Sequence, residues 1–359
     1  MKIKEFYLKA FSPIFNVNIF FIGAILMTGS GCQSDGSLFI KDATGQPGEI
    51  VVVADPRYVR EAHPVMDTLK AWFERPMRIL PQPESFFKIF KIDDAHFGSI
   101  FKYHRNVLLL NIGAPPDAPT LSMQDDKWAK RQRVLQLNVQ NENAFFEIFP
   151  QKRAEIEELF YQKDMERLAE DFDRSPASET RQWVKQATGI TLSLPSGFFC
   201  ADTGQGWAYV RHVAERSLPG GHKGTIERGL VVITAPYQKQ KQFSVRSFLD
   251  DIGPLLRTTI QGFKDNTWME VEPRVPCDST AISLAGHYAM KIRGLWRLHG
   301  EFKGGPFVGL RFFHTMRKKL VTIFAYVYAP NFQKRTYVFQ VEAIARSAGR
   351  GLMKQNATL

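Results

Sequence analysis

The sequence predicts an α+β protein: an α/β-like first half packed with a mainly antiparallel β-sheet second half that carries two helices. Three observations predict this. From about residue 49 to 180, short apolar, β-branched runs alternate with segments of helical periodicity. From 181 to 349, strand-like runs follow one another across Gly- and Pro-containing turns. The 359 residues include 13% aromatic side chains, 29 of the residues being Phe, which is enough volume for a large core. A charged fraction of 23% and a mean hydropathy of −0.23 exclude a disordered chain and a multi-span membrane protein.

The amino terminus carries an address. Residues 1–31 read as a lipoprotein signal peptide. Lys2, Lys4 and Lys9 precede an apolar run that is densest from 19 to 27, and Gly29-Ser30-Gly31 then leads into Cys32. The uninterrupted run is too short to span a bilayer, which takes about 20 residues. Small residues before a cysteine resemble the lipobox of bacterial lipoproteins, with Gly29 standing where Leu is usual. The resemblance implies cleavage before Cys32, a diacylglycerol on its sulfur, and membrane attachment through that lipid. Gln33, rather than Asp, after the cysteine points by the sorting rule to the outer membrane of a bacterial cell envelope. Residues 32–48 are polar and Gly-rich and read as a flexible tether, with folded structure expected from Glu49.

In the first half, 49–54 is a buried strand. Pro64 opens a helix showing Val65, Met66, Leu69, Trp72 and Phe73. Residues 86–92 fit helix or strand, and Asp93 is placed to cap a helix bearing Phe97, Ile100 and Phe101. Strands are expected at 107–112 and 133–139, then a long helix over 141–173, kinked or broken at Pro150. Its stripe of Ile156, Leu159, Phe160, Leu168 and Phe172 is set in opposite charges, the pattern of a helix covering a sheet. In the second half, strands are expected at 190–194, 207–213, 229–234, 268–272, 287–298, 307–313 and 320–328. Ser244 caps one helix, with Val245, Phe248, Leu249, Ile252 and Leu256 on its apolar face, and a last helix spans 333–347 and ends at Gly349. Residues 350–359 read as a tail. The order of elements from 181 to 349 vaguely resembles the PsbP/Mog1-like layout.

Several blocks in order carry a more specific resemblance. Gly48-Glu49-Ile50-Val51-Val52-Val53-Ala54-Asp55, Leu80-Pro81-Gln82-Pro83-Glu84 and His104-Arg105-Asn106-Val107-Leu108 lie in the first half. Tyr288, Arg293-Gly294-Leu295-Trp296, Gly304-Gly305-Pro306-Phe307-Val308, Tyr328-Ala329-Pro330, Lys334-Arg335 and Glu342-Ala343 lie in the second. Together they resemble domain-of-unknown-function family 4837 over about 48–346, with Lys303 where that family commonly has Met. The resemblance implies an exported bacterial protein, usually a lipoprotein, with no assigned activity and so no catalytic residue to carry over.

Charge narrows the partner. Residues 32–180 hold 19 Lys and Arg against 24 Asp and Glu, whereas 181–359 hold 25 against 11. Either the halves dock on each other or the second presents a basic face to an acidic partner, an envelope component or a protein. The export signal argues against nucleic acid, and no nucleic-acid motif occurs. The eight histidines form no His-x-x-x-His pair and the cysteines no Cys-x-x-Cys pair, so no metal or cofactor is expected. The pairs Asp93-Asp94, Asp125-Asp126 and Asp250-Asp251 read as helix starts and turns rather than catalytic dyads.

The most unusual local choice is Lys334-Arg335 at the start of the last helix, where cations oppose the macrodipole and call for a compensating group. With Arg293 and Trp296 they are the candidate partner-binding surface. Once Cys32 is lipidated, Cys200 and Cys277 remain as an even pair, a candidate disulfide in an oxidising compartment. The expected function is a non-enzymatic binding or assembly factor; the alternative is a hydrolase of an envelope polymer, with its site in a cleft between the halves.

Overall fold

The computed structural model describes residues 41–59 and 62–355; the signal peptide, Cys32, residues 33–40 of the expected tether and residues 356–359 of the expected tail lie outside them. The first half opens with β1 (Glu49–Ala54), α1 (Pro56–Val59) and α2 (Pro64–Phe73), then β2 (Lys88–Asp93), α3 (Ser99–Lys102), β3 (Asn106–Ile112), β4 (Leu121–Asp125) and β5 (Arg133–Val139). These strands form one sheet in the order β2-β1-β3-β5-β4, parallel except for β4. Ile50, Val52, Leu108 and Leu135 face one core, and Val51, Val53, Val107 and Val134 face another. Burial on both faces is why β1 and β3 read as largely apolar runs, whereas β5 alternates Leu135, Leu137 and Val139 with Gln136 and Asn138.

Helix α4 (Glu142–Arg174) runs unbroken for 33 residues, capped by the Asn141 side chain. Pro150 lies inside it, so of the kink or break expected there the break does not occur. Phe145, Phe149, Ile156 and Phe160 are all fully buried on either side of the proline. At about 1.5–3 kcal/mol each, their burial outweighs the roughly 3 kcal/mol that an interior proline costs.

Next comes α5 (Ser178–Thr188), a helix absent from the expectations. Residues 190–194 are extended but form no strand. Ile190, Leu192 and Leu194 are buried, yet the Ser193 N–H donates to the Ser347 hydroxyl and Leu194 accepts from Ala177, so no ladder forms. The remaining elements are β6 (Phe199–Gly204), β7 (Trp207–Ser217), β8 (Lys223–Pro236), α6 (Val245–Thr259), β9 (Trp268–Val271), β10 (Asp278–Leu284), β11 (His287–His299), β12 (Gly304–His314), β13 (Lys319–Tyr328) and α7 (Arg335–Ser347). The strands form an antiparallel sheet in the order β10-β11-β12-β13-β8-β7-β6, with β9 on β11.

One face of this sheet packs on α6 through Phe248, Ile252, Trp296, Phe324 and Tyr326. The other packs on α7 in a cluster that also contains α4 and one face of the first sheet. The two halves therefore share a single continuous core. Ordered structure also extends past the expected limits. Asp42 bridges to Lys130 and Thr44 to His104, ahead of Glu49, and beyond residue 349 Arg350 bonds Asp173 and Leu352 is buried. No helix among the described residues is long and apolar enough to cross a membrane.

Candidate functional site

The four residues expected to form a basic-aromatic surface do not share one. Arg293 and Trp296 are three apart on β11 and so point to opposite faces. Trp296 is 1% exposed, its indole N–H donating to the Val327 carbonyl at 3.1 Å. Arg293 faces the seam between the halves, where Nη2 donates to Glu342 at 3.0 Å and to the Tyr161 hydroxyl at 3.3 Å.

Lys334 and Arg335 do find compensation, from a carboxylate of the first half. Glu84 Oε1 accepts the Lys334 backbone N–H at 2.6 Å and Oε2 accepts that of Arg335 at 2.8 Å, capping α7 from 250 residues away. The Lys334 ammonium bonds Gln82 and the Phe332 carbonyl, and Arg335 bonds the Ser85 carbonyl. Asp173 likewise takes Arg181 and Arg350. Part of the charge asymmetry is thus used internally, in docking one half on the other.

Trp296 and Lys334 also back a cleft of about 750 Å³ beneath the turn joining β11 and β12. Its carboxylates are not set to donate a proton near neutral pH. Hydrogen bonds from Arg274 pull Glu272 down to about 2, and the Lys264 backbone N–H lowers Glu301.

The expected disulfide is absent: Cys200 and Cys277 are both free thiols. Cys200 lies on β6 and Cys277 just before β10, the strands at opposite ends of the sheet path. Six strand spacings of about 4.8 Å put them roughly 29 Å apart along the sheet, against a limit near 7 Å for bridging. Burial raises both thiols above their usual range. Alkylation of the denatured, unreduced protein should label both cysteines, read as two mass additions on the peptides carrying them. A disulfide-linked peptide pair would contradict this placement.

A surface that gathers several unpaired cations lies elsewhere. At the end of β8, in the loop after it and in the turn between β12 and β13, Lys239, Lys241, Arg317, Lys318 and Lys319 are exposed, and none of them has an ion-pair partner among the described residues. The register of β13 on β8 brings the two segments together by pairing Lys319 with Pro236. Between the cations stand exposed Tyr237, Tyr288 and Met316. Tyr237 packs on Phe313 at 5.1 Å and on Phe243 at 6.0 Å, and Phe243 meets Tyr288 at 5.2 Å. Arg317 lies against Gly189, the left-handed residue ending α5, where the helix's carbonyl end attracts a cation. The charge runs at 239–241 and 317–319 are visible in the sequence; their meeting depends on the strand register.

Two sheets joined by one core and a seam of ion pairs define a two-part α+β protein. Residues 177–347 match the family described as "Domain of unknown function (DUF4837)", and this segment of the chain belongs to that family. Residues 43–173 match a different family, "Domain of unknown function (DUF8532)", so the resemblance expected across the whole folded chain holds for its second part. The two matches meet between α4 and α5. No curated protein matches the chain. Among solved structures, a point mutant of protein Mog1 is similar at 12% identity over 46% of this chain and 86% of its own, with a TM-score of 0.23. A likeness at that score carries no argument about fold or function.

Proposed function

We propose that the chain is a non-enzymatic binding factor of the bacterial cell envelope, anchored through a lipid on Cys32, that engages an acidic surface through the basic-aromatic end of its second sheet. The observation that carries this reading is the group of five exposed cations without ion pairs, set among exposed tyrosines and a methionine. An anionic lipid headgroup layer is the surface such a group fits: Lys and Arg take the headgroup charge, and amphipathic Tyr sits at the interface. Nearby carboxylates are already engaged, Asp251 by Arg311 and Asp250 by Arg246.

The test is cosedimentation of residues 40–359, which form one compact unit, with vesicles of phosphatidylcholine alone or containing phosphatidylglycerol. Binding should require phosphatidylglycerol and weaken as salt rises past about 0.15 M, where the screening length is about 8 Å. Each surface cation is worth about 1 kcal/mol, so K318Q/K319Q should lower the partition coefficient about thirtyfold. Equal binding to both vesicles, or an unchanged coefficient in the variant, would sink the reading.

A further inference from the structure

A cleft of about 540 Å³ opens at the seam, between α4 and the 75–86 segment on one side and β10 and β11 on the other. It belongs to neither surface already described. Its floor is cationic and its walls are mixed: Phe86, Met77 and Ile282 are apolar, while Thr280 and Ser283 present hydroxyls.

Lys291 is the group at its base that local structure leaves unsatisfied. Its side chain is 14% exposed, and its ammonium stands 3.6 Å from Glu342, beyond hydrogen-bond reach. Among the described residues it makes no hydrogen bond, although an ammonium has three donors. Its other close neighbour is the face of Tyr161, 5.2 Å from the ring centroid. Glu342 is meanwhile taken by Arg293 and Arg346, each at 3.0 Å. Burial and those two guanidinium groups together hold the ammonium below its usual range.

The charges do not balance. Around the cleft and directly behind it are five cations: Arg75, Arg78, Lys291, Arg293 and Arg346. Facing them are four carboxylates: Glu157, Glu158, Asp278 and Glu342. Arg75 holds Glu157 and Arg78 holds Asp278, while Lys291, Arg293 and Arg346 face Glu342 alone; with Glu158 on the lining, the sum is one surplus positive charge. The ammonium is only partly buried and opens into the cleft, so its three donors stand available to a ligand there.

We infer that this cleft is a binding site for a small organic monocarboxylate, whose carboxylate accepts hydrogen bonds from the Lys291 ammonium while its organic part lies against Phe86, Met77 and Ile282. One negative charge neutralises the surplus, and oxygen acceptors satisfy the free donors.

The probe is benzoate, followed by ligand-observed NMR and by thermal shift of residues 40–359, with benzyl alcohol and inorganic phosphate as comparisons. Benzoate should bind saturably and raise the melting temperature. K291M should weaken it about tenfold to a hundredfold, the effect of one charged hydrogen bond. Without ligand, K291M should melt at or above the wild type, because the substitution removes a partly buried charge that burial and two neighbouring guanidinium groups disfavour, and keeps the side chain's volume. The folded variant is therefore available for the comparison. Undiminished benzoate binding in K291M, equal binding of benzyl alcohol, phosphate binding in place of benzoate, or no saturable binding to the wild type would each overturn the assignment.

Discussion

Replacing Glu342 with glutamine is expected to cost about 3–5 kcal/mol, the range for removing one partner from a buried ionic cluster. Glu342 is 1% exposed on α7. Its two oxygens hold Arg293 and Arg346, with Lys291 at 3.6 Å. An amide keeps the shape and removes the negative charge that, among the described residues, all three cations share. Against a total stability of about 5–15 kcal/mol, that loss is large.

The pH dependence has a definite sign. Burial alone would raise the Glu342 carboxyl, but Lys291, Arg293 and Arg346 hold it well below the usual carboxylate range. Stability from a depressed carboxylate is full above the unfolded value, near 4.3, and is lost as pH falls toward the folded value. Urea unfolding should therefore show a wide gap between wild type and E342Q at pH 7 that narrows at pH 3. Adding K291M to E342Q should recover part of the loss, since it removes one of the cations left facing each other. A variant within about 1 kcal/mol of wild type at pH 7 would show that the cluster tolerates its own repulsion, contrary to the expected penalty for an uncompensated buried charge.

Where burial alone decides an element, the sequence showed it. The runs at β1 and β3 were legible because both faces of that sheet are covered, β5 through the alternation of Leu135, Leu137 and Val139 with Gln136 and Asn138 that reads as a half-buried strand, and α4, α6 and α7 because each has a broad apolar stripe. Helix α5 was not legible: its buried face is only Thr180, Val184 and Thr188, two of them polar. Strand β6 was hidden for a similar reason, since it lies at an edge with no fully buried residue. At 190–194 a real alternation gave the wrong element, because alternation reports which side chains are buried and not where the backbone bonds go.

The same limit governs the sites. The Lys334-Arg335 anomaly implied a compensating group, yet nothing local could point to Glu84, 250 residues away. Arg293 and Trp296 were grouped by proximity in sequence, although a spacing of three on a strand separates them. The basic end needed the pairing of β8 with β13, a long-range fact that composition does not contain.

Replacing Asp164 with asparagine should be comparably damaging, through a different region. Asp164 is fully buried on α4 and accepts from four donors: the Gly48 backbone N–H at 2.8 Å, Asn106 Nδ2 at 3.2 Å, Arg167 at 2.9 Å and Arg105 at 3.4 Å. It therefore ties α4 to the start of β3 and to the chain entering β1. Arg167 is pushed down to about 10, burial outweighing the attraction of Asp164. An asparagine would turn an NH₂ toward groups that are all donors, leaving at least one buried N–H unpaired beside an uncompensated guanidinium. The expected cost is about 3–5 kcal/mol. Hydrogen exchange should show the loss first at the Gly48 amide and along β1, before α6 or the second sheet responds. Pairing Asp164→Leu with Arg167→Met should not restore the stability, because Arg167 also donates to Asn106 Oδ1 and to the Arg105 and Arg131 carbonyls, and the double change leaves those acceptors and the Gly48 N–H unpaired. If D164N alone unfolds within about 1 kcal/mol of wild type and Gly48 keeps its protection, the carboxylate does not hold these elements together, and the shared core must do so without it.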